Sequence, residues 1–153
     1  MSRQKLARLL ATWFGCGLAP KGPGTFGTLG AIPVYVLAAR WGLVGVGVAA
    51  AGVILAGVWS ASVVARDLGV KDPQTVVIDE VAGFLLTMLG TAVSLRAVLA
   101  GFALFRLLDI AKPWPIRRIE HLPSGWGIVL DDVAAGMLAA AAMALLRAVG
   151  WLR

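Results

Sequence analysis

The chain has 153 residues, of which 59% are hydrophobic and only 14% charged, and its mean hydropathy is +0.87. Soluble domains carry about 25% charged residues, so a soluble fold is excluded and one membrane-embedded domain over residues 1–153 is predicted. The net charge of +6 does not indicate nucleic acid, because no basic run with interleaved aromatic residues is present. Anionic membrane lipid is the predicted partner. The lone Cys16 excludes an internal disulfide, and the lone His121 excludes a histidine-rich metal site.

The amino terminus combines basic and apolar residues in the order SRQKLARLLATWFGCGLA. Arg8 interrupts the apolar run and no clear small-residue cleavage site precedes Pro20, which disfavours a cleaved signal peptide. We predict instead a short amphipathic helix that lies on the membrane surface.

A glycine-rich stretch, Ala19–Thr28, follows with the sequence APKGPGTFGT. Its glycines and prolines predict a loop. Such a loop can turn backbone N–H groups toward an anion at a helix start, with lysine and threonine side chains as further donors, which predicts a phosphate cradle. The candidate phosphate-binding residues in it are Lys21, Gly24, Thr25 and Thr28. The alternative is an ordinary turn where the chain enters the membrane.

Five apolar segments predict an all-α, polytopic membrane bundle of about four to five embedded helices. The segments are Leu29–Ala39, Trp41–Ala65, Val76–Val93, Leu95–Ile110 and Ile128–Val149. The first crosses the membrane only if its helix begins near Thr25; otherwise it is re-entrant. In the second, Gly52, Ala56 and Ser60 recur every four residues and predict a face for close helix packing, as Gly136 does in the fifth.

Five of the eight acidic residues lie in or beside apolar segments, where an acid is costly and needs a reason. They form three groups, which are Asp79 with Glu80, Asp109 alone, and Asp131 with Asp132. If the segments cross in turn, all three groups lie at segment ends on one side of the membrane, together with the glycine-rich stretch. Most lysines and arginines fall on the same side, which the positive-inside rule makes cytoplasmic.

Oxygen ligands without histidine or thiolate favour Mg²⁺ over Mn²⁺ or Ca²⁺. Clustered carboxylates repel one another unless a cation compensates them. The candidate metal ligands are Asp79, Glu80, Asp109, Asp131 and Asp132. The alternative for a single pair is structural, because acids near helix starts offset the helix macrodipole. Asp109 is predicted near a helix carboxyl end, where the dipole disfavours an acid, so the whole set favours a metal site.

Arg106, Asp109 and Lys112 are spaced by three and share one helix edge if that helix continues to Pro113. They form either an ion-pair ladder or a clamp in which Asp109 binds metal while the two cations bind phosphate oxygens. A metal that activates water and polarises phosphorus matches the clamp. Other phosphatase chemistries are excluded, because Cys16 lacks the arginine of a cysteine phosphatase loop, no D-x-D motif is present, and a vanadate-type site needs two histidines.

Four blocks resemble the bacterial phosphatidylglycerophosphatase A family in their order and spacing. These blocks are GCGLAPKGPGTFGT, VVIDEVAG, FRLLDIAKPWPI and GWGIVLDDVAAG. The resemblance covers nearly the whole chain, and Val129, where methionine is expected, is a small departure. It implies a Mg²⁺-dependent enzyme of the bacterial cytoplasmic membrane that removes the terminal phosphate from phosphatidylglycerophosphate to yield phosphatidylglycerol.

The resemblance also implies that the metal and catalytic acids are among Asp79, Glu80, Asp109, Asp131 and Asp132, with Asp132 or Glu80 as the base that activates water. The predicted catalytic residues are Asp79, Glu80, Asp109, Asp132 and, from the clamp, Lys112. The competing hypothesis is a non-enzymatic membrane protein that binds or transports a cation with the same acids. The glycine and threonine stretch and the two cations Arg106 and Lys112 favour phosphate over a bare cation. No oligomeric state follows from the sequence.

Overall fold

The computed structural model describes residues 2–114, 116–119 and 122–152. Every regular element in these ranges is helical, which confirms the predicted all-α class. The helices are α1 Arg3–Ala11, α2 Pro23–Ala38, α3 Gly42–Leu68, α4 Ile78–Thr87, α5 Leu95–Ala111, α6 Ile116–Ile119 and α7 Gly125–Ala148. Short 3₁₀ turns, Cys16–Leu18 and Ala39–Trp41, precede α2 and α3.

Helix α1 forms within the basic amino-terminal stretch, as predicted. The Ser2 hydroxyl caps its start by accepting a hydrogen bond from the Lys5 N–H at 3.3 Å. Ala7 and Ala11 are fully buried, and α1 packs against α3. Lys5 and Arg8 stay exposed, so the helix is amphipathic.

Helix α2 begins earlier than the sequence predicted. Pro23 lies in its first turn and Gly22 caps its start with a φ of 60°. Proline presets a helical φ and glycine adopts the left-handed region at little cost, so together they start a helix. The predicted loop is therefore wrong over residues 23–28. With 16 residues, α2 is about 24 Å long and begins before Thr25, as a crossing helix requires.

Two helical stretches of the described residues are long and apolar enough to cross a membrane, Pro23–Leu68 and Gly125–Ala148. The first contains α2, a 3₁₀ turn and α3, and it is interrupted at Gly42, where φ is 62°. Helices α2 and α3 both pack against α4, which has only 10 residues. The chain therefore reverses at Gly42 and forms a helical hairpin.

Helix α4 is shorter than its predicted segment. It is helical only over Ile78–Thr87, which at 1.5 Å per residue is about 15 Å, roughly half of the hydrocarbon core of a bilayer. Gly90, with a φ of 65°, lies in the turn that follows. The structure therefore does not establish four to five full-length spans, because α4 reaches only part of that depth as a helix.

Polar contacts at one end of the bundle show how the helices alternate in direction. Tyr35, near the end of α2, donates from its hydroxyl to the Thr91 carbonyl at 2.9 Å. Arg147, near the end of α7, donates to Thr91 Oγ1 at 2.6 Å. Arg96, at the start of α5, donates to the Trp151 carbonyl at 3.3 Å. The starts of α2, α4 and α7 and the end of α5 therefore face the opposite end, in the predicted order.

Helices α4 and α7 pack backbone against backbone. A Cβ on Gly136 would overlap the Gly83 carbonyl, and a Cβ on Gly83 would lie 2.7 Å from the Asp132 carbonyl oxygen. The Phe105 ring closes the remaining space beside Gly83. Thr87, one turn along α4, donates to the carbonyls of Gly83 at 2.9 Å and Gly136 at 3.4 Å. Only glycine fits both positions, so Gly136 packs as predicted.

The packing face of α3 differs from the predicted small-residue stripe. Gly52 is exposed, and a Cβ there would meet no atom within 4 Å. A Cβ on Gly57 would instead lie 3.3 Å from Val129 and 3.5 Å from Ile78. The prediction is wrong at Gly52 and right at Ser60, which is fully buried. Spacing identifies a small-residue face, but the neighbouring helices decide which face is used.

Gly136→Ala should lower the free energy of unfolding by about 1–3 kcal/mol, because the new methyl group must push α4 and α7 apart. Gly52→Ala is the matched control, since open space surrounds that position. Thermal unfolding of both variants in the same detergent measures the difference. A Gly136→Ala protein as stable as Gly52→Ala would contradict the close helix contact.

Candidate active site

A cavity of about 400 Å³ lies at the end of the bundle where α2, α4 and α7 begin and α5 ends. It contains all five predicted acids, two of the three predicted cations and one predicted glycine. The lining residues are Gly22, Pro23, Gly24, Asp72, Gln74, Val76, Asp79, Glu80, Arg106, Asp109, Lys112, Ile128, Asp131 and Asp132. The convergence predicted from alternating segments is therefore present in the fold.

Three carboxyl groups form a compact cluster in this cavity. Asp79, Glu80 and Asp132 each offer an oxygen within 4.8 Å of the others. Asp79 is 8% exposed and Asp132 is 4% exposed. Asp79 Oδ1 and Glu80 Oε2 are buried with no hydrogen-bond partner. Buried oxygens without donors are costly, and three carboxyl groups at this spacing are a suitable ligand set for a hard divalent cation.

The glycine contact between α4 and α7 explains why these acids meet. Asp79 precedes Gly83 by four residues, and Asp132 precedes Gly136 by four residues. Residues four apart lie on the same helix face. The two acids therefore lie one turn below a backbone contact that leaves no room for side chains between the helices. Glu80, the next residue on α4, joins the cluster from the side.

Arg106 connects α5 to this cluster. Its Nη1 lies 2.6 Å from Asp109 Oδ2 and 3.6 Å from Glu80 Oε1. The arginine is therefore part of a charged contact between two helices, with its side chain 17% exposed. Arg106 thus lies between Asp109 and Glu80, and Asp109, although it lines the cavity, is not one of the three clustered acids.

Lys112 departs from the helix edge that the spacing predicted. Helix α5 ends at Ala111, and Lys112 caps it in the left-handed region with a φ of 40°. Its Nζ lies 2.6 Å from Asp131 Oδ2. A simple ladder along one edge of a helix reaching Pro113 is therefore wrong, because the chain leaves the helix before Lys112. The lysine instead joins the end of α5 to α7.

Asp131 and Asp132 have different surroundings. Both oxygens of Asp131 are bonded within the protein, because Oδ2 contacts Lys112 Nζ and Oδ1 accepts from the Asp132 N–H at 2.9 Å. Asp132 belongs to the compact cluster instead. Only one member of this adjacent pair therefore joins the cluster, whereas Asp79 and Glu80 both join it.

The glycine-rich stretch contributes less than predicted. Gly24 lines the cavity, and a Cβ there would overlap Glu80 Oε1 and lie 3.0 Å from Arg106 Nη1. Thr28 is fully buried, and its hydroxyl donates to the Gly24 carbonyl at 2.9 Å. The structure thus places Thr28 inside the protein because its hydroxyl bonds its own helix, which corrects the prediction that it contacts phosphate.

Lys21 and Thr25 lie outside the set of lining residues. Lys21 is exposed and Thr25 is partly buried, so the structure brings neither to the cavity wall. Sequence reasoning missed Asp72 and Gln74, which do line it. The available signal was their position in the polar stretch directly before VVIDE. His121, the lone histidine, lies outside the described residues.

The fold and the cavity define a class of protein, an apolar helical bundle of the membrane with clustered carboxyl groups beside an arginine and a lysine. The model of the family Phosphatidylglycerophosphatase A matches residues 9–147. The chain belongs to this family, which confirms the resemblance drawn from the four sequence blocks.

Individual relatives match over most of their length. Phosphatidylglycerophosphatase A of Escherichia coli is 40% identical, with 91% of this chain and 84% of that protein covered. The protein of the same name from Haemophilus influenzae is 39% identical, with 86% and 82% covered. A Bacteroides thetaiotaomicron protein, provisionally named a phosphatidylinositol-3-phosphatase, is 39% identical, with 84% and 86% covered. No solved structure matches the chain.

The ion pair of Lys112 with Asp131 should be energetically coupled. We expect a double-mutant cycle of Lys112→Met and Asp131→Asn to give a coupling energy of about 1–3 kcal/mol in unfolding, because the pair is short and Asp131 is nearly buried. Thermal unfolding of the four proteins in detergent measures it. Strictly additive effects would show that the contact does not join α5 to α7.

Proposed function

We propose that this protein is a Mg²⁺-dependent phosphatidylglycerophosphatase of phospholipid biosynthesis. It hydrolyses the terminal phosphomonoester of phosphatidylglycerophosphate to phosphatidylglycerol and phosphate. The observation that carries the proposal is the buried cluster of Asp79, Glu80 and Asp132 beside Arg106, in a member of the phosphatidylglycerophosphatase A family.

The charges in the cavity support a bound cation. Six carboxyl groups line it against two cationic side chains, and a phosphomonoester adds further negative charge. Such an excess is unfavourable at low dielectric constant unless a cation compensates it. Asp79, Glu80 and Asp132 would hold Mg²⁺, with Asp109 beside them, and Asp131 supports the site through Lys112. When bound, Mg²⁺ would polarise the phosphoryl group and activate water.

The protein's own groups then have separate tasks. Arg106, held by Asp109 and Glu80, is placed to bind phosphate oxygens, and Lys112 is a second cation at the same wall. The start of α2 at Gly24 adds the positive end of a helix dipole. Clamped in this way, the phosphoryl group is oriented for attack by water.

Proton transfer completes the reaction. The water oxygen bonds to phosphorus while its proton passes to a carboxylate oxygen of Asp132 or Glu80 that does not hold the cation. The bond between phosphorus and the glycerol oxygen breaks. That oxygen takes the proton from the same carboxyl group, which restores the carboxylate and gives the free hydroxyl of phosphatidylglycerol. The cation-transport alternative is not favoured, because it gives no role to Arg106 at the cavity wall and does not match the family.

Phosphate release from phosphatidylglycerophosphate should require a divalent cation. Purified protein in mixed micelles should release phosphate with Mg²⁺, lose activity after chelation, and regain it when Mg²⁺ is restored. A colorimetric phosphate assay measures this, with a Mg²⁺-free buffer as control. Full activity after exhaustive chelation would contradict the proposed cation.

Asp79→Asn, Asp109→Asn and Asp132→Asn should each lower turnover by about a hundredfold or more, because each removes a charge that acts on the transition state. Asp67→Asn is the matched control, since Asp67 does not line this cavity and pairs with Arg8 at 3.9 Å. Steady-state kinetics measures the loss of turnover, and thermal unfolding of the same variants measures any loss of stability. Variants that keep turnover but lose stability would indicate purely structural acids.

The proposal places the protein in the bacterial cytoplasmic membrane, as a multi-pass protein with its cavity at the cytoplasmic face. Exposed basic residues at the cavity end support this orientation, among them Arg66, Lys71 and Arg117. Tryptophans exposed at both ends fit membrane interfaces, as at Trp41 and Trp114.

Cys16, the only cysteine and partly exposed, can test this orientation. A membrane-impermeant maleimide should label it in inside-out vesicles but not in sealed right-side-out vesicles. A tag at the carboxyl terminus should show the opposite accessibility, because α7 ends at the other side of the bundle. Detection of the tag on the Cys16 side would refute an odd number of membrane crossings between Cys16 and the carboxyl terminus.

A further inference from the structure

Two polar side chains outside the acid cluster line the same cavity. Asp72 and Gln74 lie in the segment between α3 and α4, and both are exposed. Neither belongs to the cluster of Asp79, Glu80 and Asp132. The proposed phosphate chemistry therefore leaves both side chains without a role.

The segment that carries them is held firmly in place. Pro73, between the two, is buried, and its carbonyl accepts from the Val76 N–H at 2.9 Å. The Val77 N–H donates to the Ala11 carbonyl at 2.8 Å, which ties the segment to α1. The buried Pro73 and these hydrogen bonds anchor the backbone of the segment. Asp72 and Gln74, on either side of Pro73, are exposed and line the cavity.

The chemistry of Asp72 is informative because a carboxylate repels phosphate. No ion pair engages it within the part of the chain that the structure describes. A carboxylate at the edge of a phosphate-binding cavity can instead accept hydrogen bonds from hydroxyl groups, and the Gln74 carboxamide can both donate and accept. Together they suit a group that carries a free hydroxyl next to the phosphate.

We propose that Asp72 and Gln74 are specificity-determining residues that bind a free hydroxyl of the lipid headgroup that carries the phosphomonoester. This inference rests on the proposed phosphatase function and adds to it the two residues that select such a headgroup. Phosphatidic acid, whose phosphate is attached directly to diacylglycerol, has no headgroup hydroxyl and gains nothing from these two residues.

The test compares Asp72→Ala and Gln74→Ala with wild type on three lipids in mixed micelles with Mg²⁺. The lipids are phosphatidylglycerophosphate, phosphatidylinositol 3-phosphate and phosphatidic acid. Each variant should lower kcat/KM for the preferred hydroxylated lipid by roughly tenfold, as expected for one lost hydrogen bond, and leave kcat/KM for phosphatidic acid unchanged. Lys71→Ala is the matched control, because Lys71 is exposed in the same segment but is not a lining residue of this cavity.

The ratio of kcat/KM values decides the result. An unchanged ratio between the hydroxylated lipid and phosphatidic acid, or an equal fall for both, would overturn the headgroup assignment and leave the phosphatase proposal intact. Wild-type protein that releases phosphate from none of the three lipids would overturn the phosphatase proposal and this inference with it.

Discussion

The site depends on the contact of α4 with α7 at Gly83 and Gly136. Backbone approaches backbone there, because a Cβ on either glycine would collide with the opposite helix. Small residues let membrane helices approach closely enough for dispersion forces to hold them. The acids one turn away are brought together by that approach. The stability of the bundle and the geometry of the acid cluster therefore have the same origin.

Two cationic side chains then compensate part of the negative charge through three ion pairs. Arg106 contacts Asp109 and Glu80, and Lys112 contacts Asp131. The remaining members of the cluster, Asp79 and Asp132, gain no comparable cation among the described ion pairs. An apolar bundle can keep such buried acids only where they face its interior and meet a compensating charge. The two acids without a protein cation are thus the ones that a divalent metal would compensate.

Much of this arrangement could be predicted from sequence, since helix ends alternate sides and every acidic group lies at such an end. Local backbone geometry was harder to predict. Glycine and proline usually indicate a loop. Here the left-handed φ of Gly22 and the fixed φ of Pro23 instead allow α2 to begin at these residues. The same early start turns Thr28 into a buried helix residue. The prediction that Gly52 packs against another helix was wrong, because the spacing of small residues does not show where the neighbouring helices lie.

The central claim is that the acid cluster binds a divalent cation, and Mn²⁺ offers a direct spectroscopic probe of it. Electron paramagnetic resonance measures the free ion as purified protein is titrated in detergent. The account predicts that wild-type protein removes the free Mn²⁺ signal saturably, that Asp67→Asn does the same, and that Asp132→Asn does not. The account would be contradicted if Mn²⁺, added up to millimolar concentrations, stays free in the presence of wild-type protein.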